Sequence, residues 1–131
     1  MESSGKKVRV LAVDDSKTML AMMSAYLKGS NFELVATANS GAEALEKYKE
    51  LKPQLVLLDV VMPEVDGLEI LENILGTDTG ACVIMVSSLG TENTVQDCLK
   101  KGAKSFVQKP IQKAGMLATL KTVCQEAGVA L

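Results

Sequence analysis

Histidine is absent from all 131 residues, and so is tryptophan. Without histidine there is no Ser-His-Asp or Cys-His catalysis and no imidazole ligand for a metal. Nor can the chain supply the histidine side of a His-to-Asp phosphoryl relay. Aromatic residues reach only 3%, so aliphatic and Met side chains must fill any core. The formal net charge is only −2, which gives no electrostatic footprint for nucleic acid or for an anionic membrane. No apolar run approaches membrane-spanning length, and the first residues lack a signal-peptide core. A cytoplasmic location is the resulting expectation. The cysteines, Cys82, Cys98 and Cys124, are odd in number and lack metal-ligand spacing. Each falls on an apolar pattern, so reduced core thiols are expected.

What is present suits one domain with one core, since 47% of the residues are hydrophobic. Five apolar strand candidates recur at roughly 20–27-residue intervals, about the length of a compact βα unit. They are Val8–Val13, Leu34–Thr37, Leu55–Leu58, Cys82–Val86 and Ser105–Val107. A helical pattern follows each one. The first repeats Met19, Met22, Met23, Tyr26 and Leu27 at helical spacing. Ser40-Gly41-Ala42-Glu43 reads as a capping box opening the second. Leu68, Leu71, Ile74 and Leu75 mark the third, Val95, Cys98 and Leu99 the fourth, and Met116, Leu120, Val123 and Cys124 the fifth. Gly29, Gly76 and Gly102 stand where helices should stop. Alternating β and α with uniformly apolar strands predicts an α/β fold, a parallel sheet covered by helices on both faces. The expected organisation is a polar tail over 1–7, one domain over 8–127 and a short tail over 128–131.

Two of the apolar runs end in carboxylates: Val13-Asp14-Asp15 and Leu57-Leu58-Asp59. An ionised carboxylate at the end of a buried strand is costly unless something pairs with it. In doubly wound sheets ligands bind beyond the C-terminal ends of the strands, where these aspartates fall. Three close carboxylates repel one another unless a cation joins them, and Mg²⁺ suits a few carboxylates completed by water and phosphate. Asp59 is also a candidate nucleophile, because carboxylates form aspartyl-phosphates. Lys109 ends the fifth strand, either as a surface cation or as a point charge for a phosphoryl oxygen. Pro110 either terminates the strand or forms a cis bond that aims the lysine. Ser87 and Ser88 end the fourth strand, as helix caps or as donors to a phosphoryl oxygen.

Together these residues resemble the receiver domain of two-component response regulators. The resemblance spans roughly Val8 to Glu126 and rests on four motifs in order. They are Val13-Asp14-Asp15-Ser16, Leu58-Asp59-Val60-Val61-Met62-Pro63-Glu64-Val65-Asp66-Gly67, Val86-Ser87-Ser88, and Gly102-Ala103-Lys104-Ser105-Phe106-Val107-Gln108-Lys109-Pro110. It implies a (βα)5 flavodoxin-like sheet of order 2-1-3-4-5. It also implies Asp59 as phospho-acceptor, with Mg²⁺ held by Asp14, Asp15, Asp59 and the backbone carbonyl of Val61. Ser87 is the implied switch hydroxyl, Lys109 a phosphoryl ligand, and Phe106 the aromatic whose rotamer follows Ser87. Phosphorylation would shift the surface of the fourth helix, fifth strand and fifth helix. Partner docking is implied at Met19, Met23, Pro110 and Ile111, where other members often carry Phe at the position of Ile111. Val61 and Leu89 flank the site with apolar groups that cannot orient an attacking water, which predicts slow self-dephosphorylation.

The implied partners are a histidine kinase as phosphodonor, a downstream target protein and a phosphatase. No nucleic acid or membrane is expected, and the chain would be a monomer or a weak phosphorylation-dependent dimer. The sequence ends just after the fifth helical pattern, and Met85-Val86-Ser87-Ser88-Leu89-Gly90 is similar to chemotaxis receivers. Both favour a single-domain chemotaxis regulator whose target is the flagellar motor switch. Two alternatives stay open, a phosphorelay intermediate and the receiver of a larger methylesterase or transcription factor. A haloacid-dehalogenase-like phosphatase would need a second Asp where Val61 stands. A flavodoxin-like electron carrier would need a hydroxyl-rich phosphate loop where Asp14-Asp15 stands.

Overall fold

The computed structural model describes residues 7–59, 67–88 and 92–129. Five strands alternate with five helices: β1 (Val8–Val13), α1 (Lys17–Leu27), β2 (Phe32–Ala38), α2 (Gly41–Leu51), β3 (Leu55–Asp59), α3 (Gly67–Thr77), β4 (Val83–Ser87), α4 (Glu92–Lys100), β5 (Ser105–Gln108) and α5 (Lys113–Ala127). The strands form one parallel sheet of order β2-β1-β3-β4-β5, as the resemblance implies. Every residue of β3 and β4 is buried, the signature of central strands covered on both sides.

Strand alternation divides the core in two. Val8, Val10 and Ala12 of β1 meet Met23 and Leu27 of α1 and Met116, Leu120 and Val123 of α5 on one face. Leu11 and Val13 point the other way, toward Ala44 and Tyr48 of α2, Ile70, Leu71 and Ile74 of α3 and Cys98 of α4. All three cysteines are free and buried, as expected. Burial pushes the Cys82 and Cys124 thiols above the usual range and so keeps them protonated.

Several boundaries differ from the expectation, each for a local reason. β2 begins two residues early, because Phe32 and Glu33 pair with Val8 and Arg9 of β1. A register shift between Val10 and Leu11 then leaves Val35 as the extra residue on this edge strand. β3 and β4 extend by one polar residue each, Asp59 and Ser87, since backbone pairing is indifferent to side-chain polarity. Gly76 lies inside α3, which runs on to Thr77; beyond it Asp78 Oδ1 accepts the Gly80 N–H at 2.9 Å and makes the turn. Gly102 does follow a helix end, with φ +111°, and a Cβ there would lie 2.5 Å from Leu75 Cδ1. Leu99, expected on the buried face of α4, is 44% exposed. At α2 the capping box forms with a one-residue offset. Ser40 Oγ accepts the Glu43 N–H at 3.2 Å, but Glu43 Oε1 reaches back to the Asn39 N–H at 2.8 Å.

Candidate functional site

The C-terminal ends of the strands bring Asp14, Asp15, Asp59, Ser87 and Lys109 to one edge of the sheet. Asp14 follows β1 directly, its N–H bound to Ala38 O of β2 at 3.0 Å. Its side chain is fully buried and both oxygens are engaged. Oδ1 accepts the Ser16 N–H at 2.9 Å, and Oδ2 accepts from Lys109 Nζ at 3.1 Å. The first of these bonds opens α1, because Ser16 is also its N-cap and accepts from the Met19 N–H at 3.2 Å. Asp15, one residue on, is exposed.

Asp59 closes β3 opposite Val86 of β4 and is 4% exposed. Lys109 Nζ lies 3.6 Å from Asp59 Oδ2, so the ammonium sits between two buried carboxylates. One carboxylate oxygen from each of Asp14, Asp15 and Asp59 lies within 4.8 Å of the others. Among the described residues, three carboxylates and one ammonium leave this cluster with more negative than positive groups, two of the carboxylates buried. The donor set is all hard oxygen, which suits Mg²⁺ or a similar hard divalent cation. Ser87 is buried beside this cluster, and its carbonyl accepts the Lys109 N–H at 2.8 Å. Lys109 and Pro110 are joined by a cis peptide bond.

The expected flanking and docking residues are placed unevenly. Phe106 is half-buried and packs against the cluster on the α2, α3 and α4 face. Met19 is half-buried and Pro110 exposed, so both offer surface. Met23 and Ile111 do not; at 1% and 3% exposure they belong to the core, which corrects their expected place on a docking surface. Ile111 turns inward to join the core cluster that also holds Val107 of β5 and Met116 of α5. Val61 and Leu89 lie outside the described residues, as does most of the motif after Asp59.

Two contacts had no place in the sequence reading. Ser16, two residues after Asp14, shows Asx-turn spacing, a signal that was legible. The bond from Tyr26 Oη to Ile111 O at 3.2 Å joins residues 85 apart and had no sequence signal.

Comparison with known proteins finds relatives over most of the chain. The response regulator receiver domain family matches residues 10–121. The chemotaxis protein CheY of Listeria monocytogenes is 46% identical over 114 residues, covering 87% of this chain and 96% of that protein. A protein-glutamate methylesterase/protein-glutamine glutaminase of Bacillus licheniformis is 45% identical over 107 residues, covering 79% of this chain and 29% of that protein. Among solved structures, the CheX-CheY-BeF3-Mg²⁺ complex of Borrelia burgdorferi contains a similar chain, with TM-score 0.87 and 40% identity, covering 91% of this chain and 90% of that one. With its sheet order, its acidic strand ends and these relatives, the chain belongs to the response regulator receiver domain family of two-component signalling.

Proposed function

We propose that this chain is a phosphoryl-accepting regulator of chemotaxis, a receiver over 8–127 that works in the cytoplasm with Asp59 as acceptor. The observation that carries the proposal is the cluster itself: a buried nucleophilic carboxylate with two more carboxylates and a lysine within reach. In the step proposed, an oxygen of Asp59 forms a bond to phosphorus as the bond to the donor breaks. With a histidine kinase as donor, the leaving group is an imidazole nitrogen, which takes up a proton. Asp14 has both oxygens occupied within the protein, which supports Asp15 and Asp59 as the direct metal donors and Asp14 as an indirect one. When bound, Mg²⁺ would supply charge to offset the phosphoryl oxygens. The Lys109 ammonium, already between Asp14 and Asp59, would add a second positive contact.

Phosphorylation adds negative charge and strong acceptors at Asp59. The Ser87 hydroxyl would then gain a partner that exists only in that state, and such a differential contact shifts a two-state equilibrium. Phe106, half-buried beside β4, is the proposed relay to the surface of α4, β5 and α5, where a target protein would bind. The chemotaxis protein relative supports the chemotaxis reading, and the methylesterase relative keeps open a role as receiver of such a larger enzyme. The test is intact mass after incubation with Mg²⁺ and acetyl phosphate. One phosphoryl group should be added to the parent and none to Asp59→Ala. An unmodified parent would overturn the proposal.

A further inference from the structure

The segment carrying Lys109 is fixed at its strand end, where the Lys109 N–H meets Ser87 O at 2.8 Å. Its other end enters α5 at Gln112, which supplies no side-chain cap. Between them the Ile111 carbonyl accepts the Tyr26 hydroxyl at 3.2 Å. Tyr26 lies on α1, the helix opened by Ser16 on Asp14, and its ring packs against the same core cluster that holds the Ile111 side chain. α1 is therefore tied to the acidic cluster at its start through Asp14, and to the lysine loop further along through Tyr26. The two ties fix the lysine loop relative to the carboxylate that Lys109 contacts.

We infer that Tyr26 is a positioning residue for Lys109: its hydroxyl holds the loop so that the ammonium stays between Asp14 and Asp59, ready for a phosphoryl oxygen. The inference rests on the phospho-receiver reading for its consequence, though not for the tie itself. Loss of the hydroxyl frees the Ile111 carbonyl and leaves the ring packing in place. The lysine loop then samples other positions, and the ammonium is less often where a phosphoryl group needs it.

Tyr26→Phe is the test, read in two ways. In the ligand-free protein, ¹³C-lysine spectra should show the Lys109 ε-methylene signal moving toward those of exposed lysines. With Mg²⁺ present, beryllofluoride, a phosphoryl mimic, should bind about fivefold more weakly, the size of one lost hydrogen bond. In a Lys109→Ala background, Tyr26→Phe should change that affinity by less than about twofold, because the positioned group is gone. An unmoved Lys109 signal would overturn the inference, as would an equal loss in both backgrounds, which is the mark of a general packing role. If the parent binds no beryllofluoride the phospho-receiver reading fails, while the Lys109 signal still decides whether the tie exists.

Discussion

The two edges of the sheet treat polar groups in opposite ways. At the N-terminal edge Arg9, Gln54, Tyr48 and Asp78 each meet a complement. The Arg9 guanidinium donates to the Leu51 and Lys52 carbonyls at the end of α2, where C-terminal carbonyls lack helical partners. Arg9 and Gln54 exchange bonds at 3.0 and 2.9 Å. Tyr48 donates to Asp78 Oδ2 at 2.9 Å, whose other oxygen takes the Gly80 N–H. At the C-terminal edge, among the described residues, three carboxylates cluster and Lys109 reaches two of them. The first edge is built for stability. The second gathers like charges that a bound cation would stabilise, the usual sign that stability has been given up for function.

Removing a group from each edge sharpens this contrast. Lys109→Ala should have the largest effect. It leaves Asp14 and Asp59 buried without their cation and should cost about 3 kcal/mol in urea unfolding with chelator present. Mg²⁺ should restore part of that loss. Arg9→Ala should cost about 2 kcal/mol through the lost charged bonds to α2, and Mg²⁺ should make no difference.

Tyr48→Phe should cost about 1 kcal/mol at neutral pH. Burial first, then the bond to Asp78 and its charge, push the Tyr48 phenol far above its ordinary 10.0. A raised folded value means that this stabilisation is complete below pH 10.0 and fades as pH rises above it, where the unfolded phenol ionises first. The stability gap between parent and Tyr48→Phe should therefore narrow above pH 10.0, read by unfolding at a series of pH values. Asp15→Asn should have the smallest effect, a gain of up to about 1 kcal/mol in chelator from relieved repulsion. A clear loss there would break the claim that this edge carries excess charge.

Most of the fold was legible because central parallel strands need apolar side chains on both faces, which marks them as short unbroken runs. The strand-end aspartates were legible for the converse reason: a carboxylate at the end of such a run needs a purpose. Less legible was anything set by packing between distant segments. Met23 shares its helix and its residue type with Met19, yet one is core and the other partly surface. Ile111 follows Lys109-Pro110 in a segment that looks exposed, yet it is buried in the cluster shared by β5 and α5. The helix stop expected at Gly76 failed because Asp78 supplies the turn with a side-chain bond, and Gly76 has φ in the ordinary range. The Tyr26 tie could not be read at all, since nothing in a lone tyrosine names a carbonyl 85 residues away.

The central claim is that the carboxylate edge is a cluster of like charges suited to a hard divalent cation. The most direct measurement is the unfolding midpoint of the parent and of Asp15→Asn as Mg²⁺ is raised at constant ionic strength. Binding to the folded state alone should raise the parent's midpoint steadily with Mg²⁺ concentration and leave Asp15→Asn nearly flat. A parent whose midpoint does not respond to Mg²⁺ would contradict the account.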